Sequence, residues 1–304
     1  MKYLKKENNI YSFSANNEAS IIVEEGEEFI LEAYDCFANQ LKDSDDKLST
    51  INWDNINPAT GPVYINGANA GDILRIKIKD INISDHSVMV VAPGEGLMGE
   101  RFNEHQTKIY KIEENKLIFS EEIKIPISPM IGVIGTAPSS SSISTGEQGE
   151  HGGNMDCNII TKDSVLYLPV NVEGGLLALG DLHAVMGDGE VEFCGAEIAG
   201  EVNLKIDIIK NKKLPLPLLE NADKIITISS ANNLDLAVKN SCDKMLNFLI
   251  NFSKLSSVDA ALLMSAVGDA RICQAVDPLK TARFEMEKKY LKIKQIMEVV
   301  KNER

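Results

Sequence analysis

The densest run of groups able to do chemistry is Leu179-Gly-Asp-Leu-His-Ala-Val-Met-Gly-Asp-Gly-Glu190. If Leu179 to Ala184 continues a strand, Asp181 and His183 stand two residues apart and project from one face. A carboxylate beside an imidazole suits a divalent metal, or a general base with the partner that orients it. A His hydrogen-bonded to a turn carboxylate has the same spacing, so spacing alone leaves both readings open. Gly187-Asp-Gly189 then forms a turn, and Glu190 to Glu197 returns the chain. A second cluster is His151-Gly-Gly-Asn-Met-Asp156. Gly152 and Gly153 permit close backbone approach to a ligand or unhindered N–H donation. Asn154 and Asp156 are again two apart and can face one cavity, although an Asx turn entering a strand has the same pattern. A third candidate is Glu32, an acid interrupting an apolar strand in Glu32-Ala-Tyr-Asp35.

Nucleophiles are less well set. The Gly-x-Ser-x-Gly elbow is absent, and the serines at 139–142 read as loop. Cys157, beside Asp156, is the best thiol candidate, against the more ordinary reading of a small buried residue. Gly94-Glu-Gly96 lacks the continuation of a dinucleotide fingerprint. His86 and His105 lie in polar, turn-like segments and read as surface residues.

The elements that must position these groups are mostly strands. From about residue 20 to 210, short apolar runs such as Ile21-Ile-Val, Phe29-Ile-Leu and Val88-Met-Val-Val91 alternate with Gly, Pro, Asn and Asp. Asp72 to Asp80 and Asn203 to Ile209 carry apolar residues at every second position, the mark of a half-buried strand. The expectation is a mainly β protein, an antiparallel sandwich or barrel-like body over 1–210, with an α+β unit over 211–304. In the latter, Lys224 to Ser229 reads as a strand and Leu234 to Phe252 as a helix. Ser256 caps a second helix through Val267, Arg271 to Val276 is a strand, and Glu285 to Lys301 has helical character. The Ser- and Gly-rich stretch 138–154 reads as a surface loop or as a mobile wall over a site.

Composition narrows the setting. The 304 residues carry 31 Lys and Arg against 45 Asp and Glu, a formal charge of −14 that repels phosphate backbones and argues against nucleic-acid binding. The apolar runs are shorter than the ~20 residues a membrane helix needs, and no apolar core follows the basic N-terminus, so neither membrane nor secretion is expected. Five scattered cysteines without CxxC spacing fit reduced thiols in the cytoplasm.

Taken with Asn57 to Asp72, Ile131 to Pro138, Leu168 to Ala184 and Gly268 to Asp277, these motifs give a sequence that resembles the acetamidase/formamidase family over nearly its whole length. The resemblance implies a β-rich fold with a C-terminal α+β portion. It implies hydrolysis of a short aliphatic amide to carboxylate and ammonia, aided by a divalent metal, zinc. On that reading Asp156, Asp181 and His183 hold the metal, and Glu32 or Glu197 relays a proton. Asn154 with the Gly152–Gly153 backbone stabilises the oxyanion. The resemblance also implies a homo-oligomer, with a dimer favoured. The chain departs from the family pattern at Asn66, Leu182 and Met186, which bears on substrate preference. Two competing readings are a thiol hydrolase using Cys157 and a non-catalytic, Ca-binding module for a small ligand.

Overall fold

Alternating side chains decide the architecture. In Ile73–Ile83 (β3), Leu74, Ile76 and Ile78 are buried while Arg75 and Lys77 between them are only half-buried, as a strand with one core face requires. The computed structural model describes residues 1–46, 48–291, 293 and 295–297. Its strands gather into two large sheets. The first runs from Lys2–Leu4 through β1 (Glu28–Ala33), β10 (Gly200–Ile209), β3, β7 (Val165–Pro169), β11 (Leu218–Glu220), β12 (Lys224–Ala231) and β14 (Lys280–Glu287) to β13 (Asp269–Gln274). Apart from the parallel contact of Lys2–Leu4 with β1, its ladders are antiparallel. The second sheet has β5 (Met130–Gly135), β8 (Leu177–His183) and β9 (Glu197–Ile198) at its centre. Beside them lie β2 (Ala59–Ile65), β4 (His86–Val91) and β6 (Gly152–Asn154).

The sheets pack face to face. Phe29, Leu31, Leu74, Ile76, Leu166 and Leu204 of the first meet Val63, Ile65, Ile131, Leu177 and Leu182 of the second in one buried cluster. The residues between them point the other way: Ile73, Tyr167, Leu218 and Ile225 meet Met245, Phe248 and Leu249 of α1 (Leu234–Phe252) and Met264 of α2 (Ser257–Val267). Both helices start at side-chain caps, Asn233 accepting from Leu236 N–H and Ser256 from Asp259 N–H, which satisfies donors the first turn leaves free. The expected mainly β body with a C-terminal helical part is therefore observed. Hydrogen bonding is continuous across residue 210, however, because β11 pairs directly with β7.

Three local expectations change. Glu285 to Glu287 belong to strand β14, with a single helical turn at Lys288–Leu291; residues 292, 294 and 298–301 of the expected helix lie outside the described residues. Mixed charge misled there, because Arg283 and Glu285 form an ion pair at 2.7 Å, both of them buried. The strand expected over 271–276 runs from Asp269 to Gln274. Stretch 138–154 is not a free wall. Ile143–Ser144 pairs with Ser12–Phe13, and Gln148–Gly149 pairs with β6, so distant strands order a sequence of low local preference. No helix among the described residues is long and apolar enough to cross a membrane.

Phe248 is fully buried between α1 and the sheet. Phe248→Ala is expected to lower stability by about 3–5 kcal/mol, read from the urea midpoint.

Candidate active site

β8 carries Asp181 and His183 to its C-terminal end, between β5 on one side and β9 on the other. His183 pairs with Glu197 across the β8–β9 ladder. Its Nε2 lies 3.1 Å from Glu197 Oε1 and 3.4 Å from Asp181 Oδ1, with the ring fully buried. Glu197 Oε1 also accepts the Gly195 N–H at 2.9 Å. Across β5, Gly132 has no side chain where one would collide: a Cβ there would sit 2.5 Å from both Asp156 Oδ1 and Asp181 Oδ2. A bare strand backbone is thus what lets two carboxylates lie over the sheet.

Glu190 arrives by another route. In the turn before it, Arg283 of β14 donates to both oxygens of Asp188 at 2.9 and 3.0 Å. Gly189 N–H donates to Cys273 C=O at 2.9 Å, and Ala275 N–H donates to Gly189 C=O at 3.0 Å. The connection from β13 to β14 adds Asp277, whose Oδ2 accepts from Asn154 Nδ2 at 2.9 Å. Asp156, Asp181 and Glu190 hold φ of 42°, 55° and 47°. Left-handed backbone is costly for side chains other than Gly and gathers at functional sites.

These groups floor a cavity of about 270 Å³. Asn154, Asp156, Asp181, Glu190, Glu197 and Asp277 line it with Cys36, and Phe37, Leu48, Trp53, Ile56, Pro93 and Phe193 form apolar walls. None of the lining residues is Lys or Arg. Burial pushes Glu197 and Asp277 up to about 7, and neighbouring Asp181 adds to both. Burial, then Glu190, lifts Asp156 well above the usual carboxylate range; burial also lifts Glu190. For His183, burial favours the neutral ring, but Glu197 and Asp181 outweigh it and raise its pKa. Burial works against the Asp181 anion too, and there the His183 charge prevails and lowers the pKa. The acids are short of positive charge.

A model of the acetamidase/formamidase family matches residues 13–149 and 140–282. The chain belongs to that family. It is 43% identical to an acetamidase of Bacillus halodurans whose solved structure superposes with a TM-score of 0.95, covering 97% of this chain and 100% of that one. A predicted acetamidase/formamidase of Thermoanaerobacter tengcongensis is 44% identical with a TM-score of 0.94, over 96% and 97% of the two chains. The formamidase of Methylophilus methylotrophus is 26% identical over 249 residues, 62% of this chain and 61% of that protein. The chain spans about three fifths of the length of the first curated relatives it matches.

In this acetamidase/formamidase-family chain, Asp156, Asp181, His183, Glu197 and Asn154 converge. Glu32 does not: its carboxylate is ion-paired with Lys6 at 2.7 Å, because it sits on the half-buried face of β1, whose alternate residues Leu31 and Ala33 fill the core. Gly152 and Gly153 are held in the sheet between β5 and Gln148–Gly149 and are not among the lining residues. Their positive φ and close packing against the Ile134 and Glu147 carbonyls make them glycines of close strand approach. Cys157 is likewise buried away from the cavity, in contact with Cys273. The thiol lining the cavity is Cys36, which burial and Glu197 hold in the protonated form. Glu190, Asp277 and Cys36 escaped the sequence reading. Only Glu190 had a local signal, at the end of the Gly187-Asp-Gly189 turn.

The donors fit a divalent cation. Ligand atoms of Asp156, His183 and Glu190 lie within 4.8 Å of one another, as do those of Cys36, Asp181 and Glu197. Buried Asp156 Oδ1, His183 Nδ1 and Glu197 Oε2 have no hydrogen-bond partner, and such atoms are costly unless something pairs with them. Gly132→Ala is expected to weaken zinc affinity by about tenfold or more, the scale for disturbing groups that hold ligands in place. Titration calorimetry checks this against Gly146→Ala, where an added Cβ meets nothing nearer than 3.7 Å.

Proposed function

We propose that the chain hydrolyses a small linear amide, of the acetamide or formamide class, to a carboxylate and ammonia. The observation carrying this reading is the convergence of four carboxylates, Asp156, Asp181, Glu190 and Glu197, on His183 beneath an apolar-walled cavity, in a chain of a family with acetamidases and formamidases among its members. An amide carbonyl is a poor electrophile and ammonia a poor leaving group. The site must therefore activate water and deliver a proton to nitrogen.

A divalent cation, zinc in our reading, would be held by Asp156, Asp181 and His183 with Glu190 beside them; when bound it supplies carbonyl polarisation and a lowered pKa for water. An imidazole with carboxylates suits zinc better than calcium, which prefers oxygen ligands alone. Glu197 is the proton carrier. It lines the cavity, reaches His183 at 3.1 Å, and is raised by burial to about 7, where a carboxyl group both accepts and releases a proton near neutrality. Asn154 gives an N–H to Asp277, leaving its Oδ1 without a partner. That oxygen is an acceptor suited to the substrate amide N–H, while the second N–H of the Asn154 amide is left for the oxyanion. The apolar walls exclude water, which strengthens these interactions.

His183→Ala and Asp181→Asn are each expected to cut ammonia release from acetamide or formamide by about a hundredfold or more, with the circular-dichroism spectrum unchanged. Undiminished kcat in either variant removes that residue from the mechanism. Exhaustive chelation is expected to abolish turnover and added zinc to restore it. Full activity in protein shown metal-free by elemental analysis eliminates the metal but not the amidase.

A further inference from the structure

The cavity is larger than acetamide needs. An apolar cavity of about 150 Å³ holds a benzene molecule, so one of about 270 Å³ has room for a ligand of roughly ten non-hydrogen atoms. Acetamide, even with a cation and a water beside it, leaves much of that room unfilled.

The spare room is apolar, and the chain holds it open. Phe37, Leu48, Trp53 and Ile56 come from residues 34–58, the connection between β1 and β2, and Ala92 and Pro93 follow β4. A connection of that length is uncommon in a compact body and ordinarily serves a site. Phe37, Leu48 and Ala92 are packed from behind into a buried cluster with Val88, Val90 and Cys194. The Gln40 side chain accepts the Asn52 N–H at 2.7 Å and donates to the Asn52 C=O at 3.3 Å, and Thr107 Oγ1 donates to the Asp46 C=O at 2.8 Å. Walls anchored in this way do not close down on a smaller ligand.

The two ends of the site differ in character. Asn154 Oδ1 is without a partner, and Asp277 lies beside it, bonded to Asn154 Nδ2. Both offer acceptors to an amide N–H and neither suits an alkyl group, so the nitrogen takes this end and the acyl chain is left for the walls. None of the lining residues is Lys or Arg, and Glu95 among them is exposed. His105, the one basic residue lining the cavity, is exposed as well, where an ion pair contributes little. A chain ending in a carboxylate therefore finds no strong partner.

We propose that the preferred substrate is a primary amide whose uncharged acyl chain has about five to seven carbons, ahead of acetamide itself. This rests on the amidase reading and extends only its substrate.

Ammonia release by the full chain with zinc added, from acetamide, butanamide, hexanamide and adipamate, tests it; adipamate carries a carboxylate where hexanamide has its terminal methyl. Each buried methylene is worth about fourfold, so kcat/KM rises roughly a hundredfold from acetamide to hexanamide. The rise lies in KM, because the chain is gripped alike before and during the reaction. Adipamate falls below hexanamide by about tenfold or more. Trp53→Ala removes a wall residue that is 52% exposed, and Ile56→Trp fills the room. Each lowers the ratio of kcat/KM for hexanamide to that for acetamide by about tenfold, and partial misfolding, which lowers both substrates alike, does not move that ratio. A kcat/KM that stays level or falls beyond acetamide overturns the proposal while the amidase stands. Adipamate as good as hexanamide, or variants that keep the wild-type ratio, overturn it as well. No ammonia from any of these amides removes the amidase reading, and this inference with it.

Discussion

Five carboxylates and one imidazole meet in a space where almost none of them touches solvent, and that is the constraint the rest of the molecule answers. Like charges gathered away from water repel one another and lose hydration. The chain holds them there by brute rigidity. Asp181 and His183 are fixed by a strand with hydrogen-bonded neighbours on both sides, and Glu197 lies in the next strand. Glycine at 132 gives the acids room, and left-handed backbone at three of them shows that local preference has been overruled.

The energy for this comes from ordinary packing. The apolar layer between the sheets and the second layer under α1 and α2 bury aliphatic side chains from strand after strand. β7 belongs to both, with Leu166 and Leu168 turned to one layer and Tyr167 to the other. The site itself is carried by the second sheet, whose inner face closes the first of these layers. A polar centre assembled on loops alone would relax by moving its charges apart.

How much of this was legible in the sequence depended on range. Alternation in Ile73 to Ile78, the apolar spacing of Leu234 to Phe252 and the cap at Ser256 are local signals, and they gave strand and helices directly. Asp181 and His183 were legible from their spacing two residues apart in a strand, although the left-handed backbone at Asp181 departs from regular strand geometry. Glu32 follows the same local rule, but its strand belongs to the first sheet and turns it away from the core, towards Lys6. Asp277 had no such signal. It appeared only as the end of the Gly268 to Asp277 segment, and its place beside Asn154 arises from pairing between segments more than a hundred residues apart. Stretch 138–154 was misread because low complexity describes the local chain, whereas its order is imposed by residues 12–13 and by β5.

The hydrogen bonds between Gly189 and β13, with the grip of Arg283 on Asp188, have an evolutionary meaning. They make the C-terminal segment a structural creditor of the N-terminal body rather than a module joined to it. Recombination between relatives near residue 210 would separate Glu190 from the strands that hold it and Asn154 from Asp277. Such a hybrid could keep both hydrophobic layers and still lose the alignment of its acids. The two parts of this chain are therefore bound to change together.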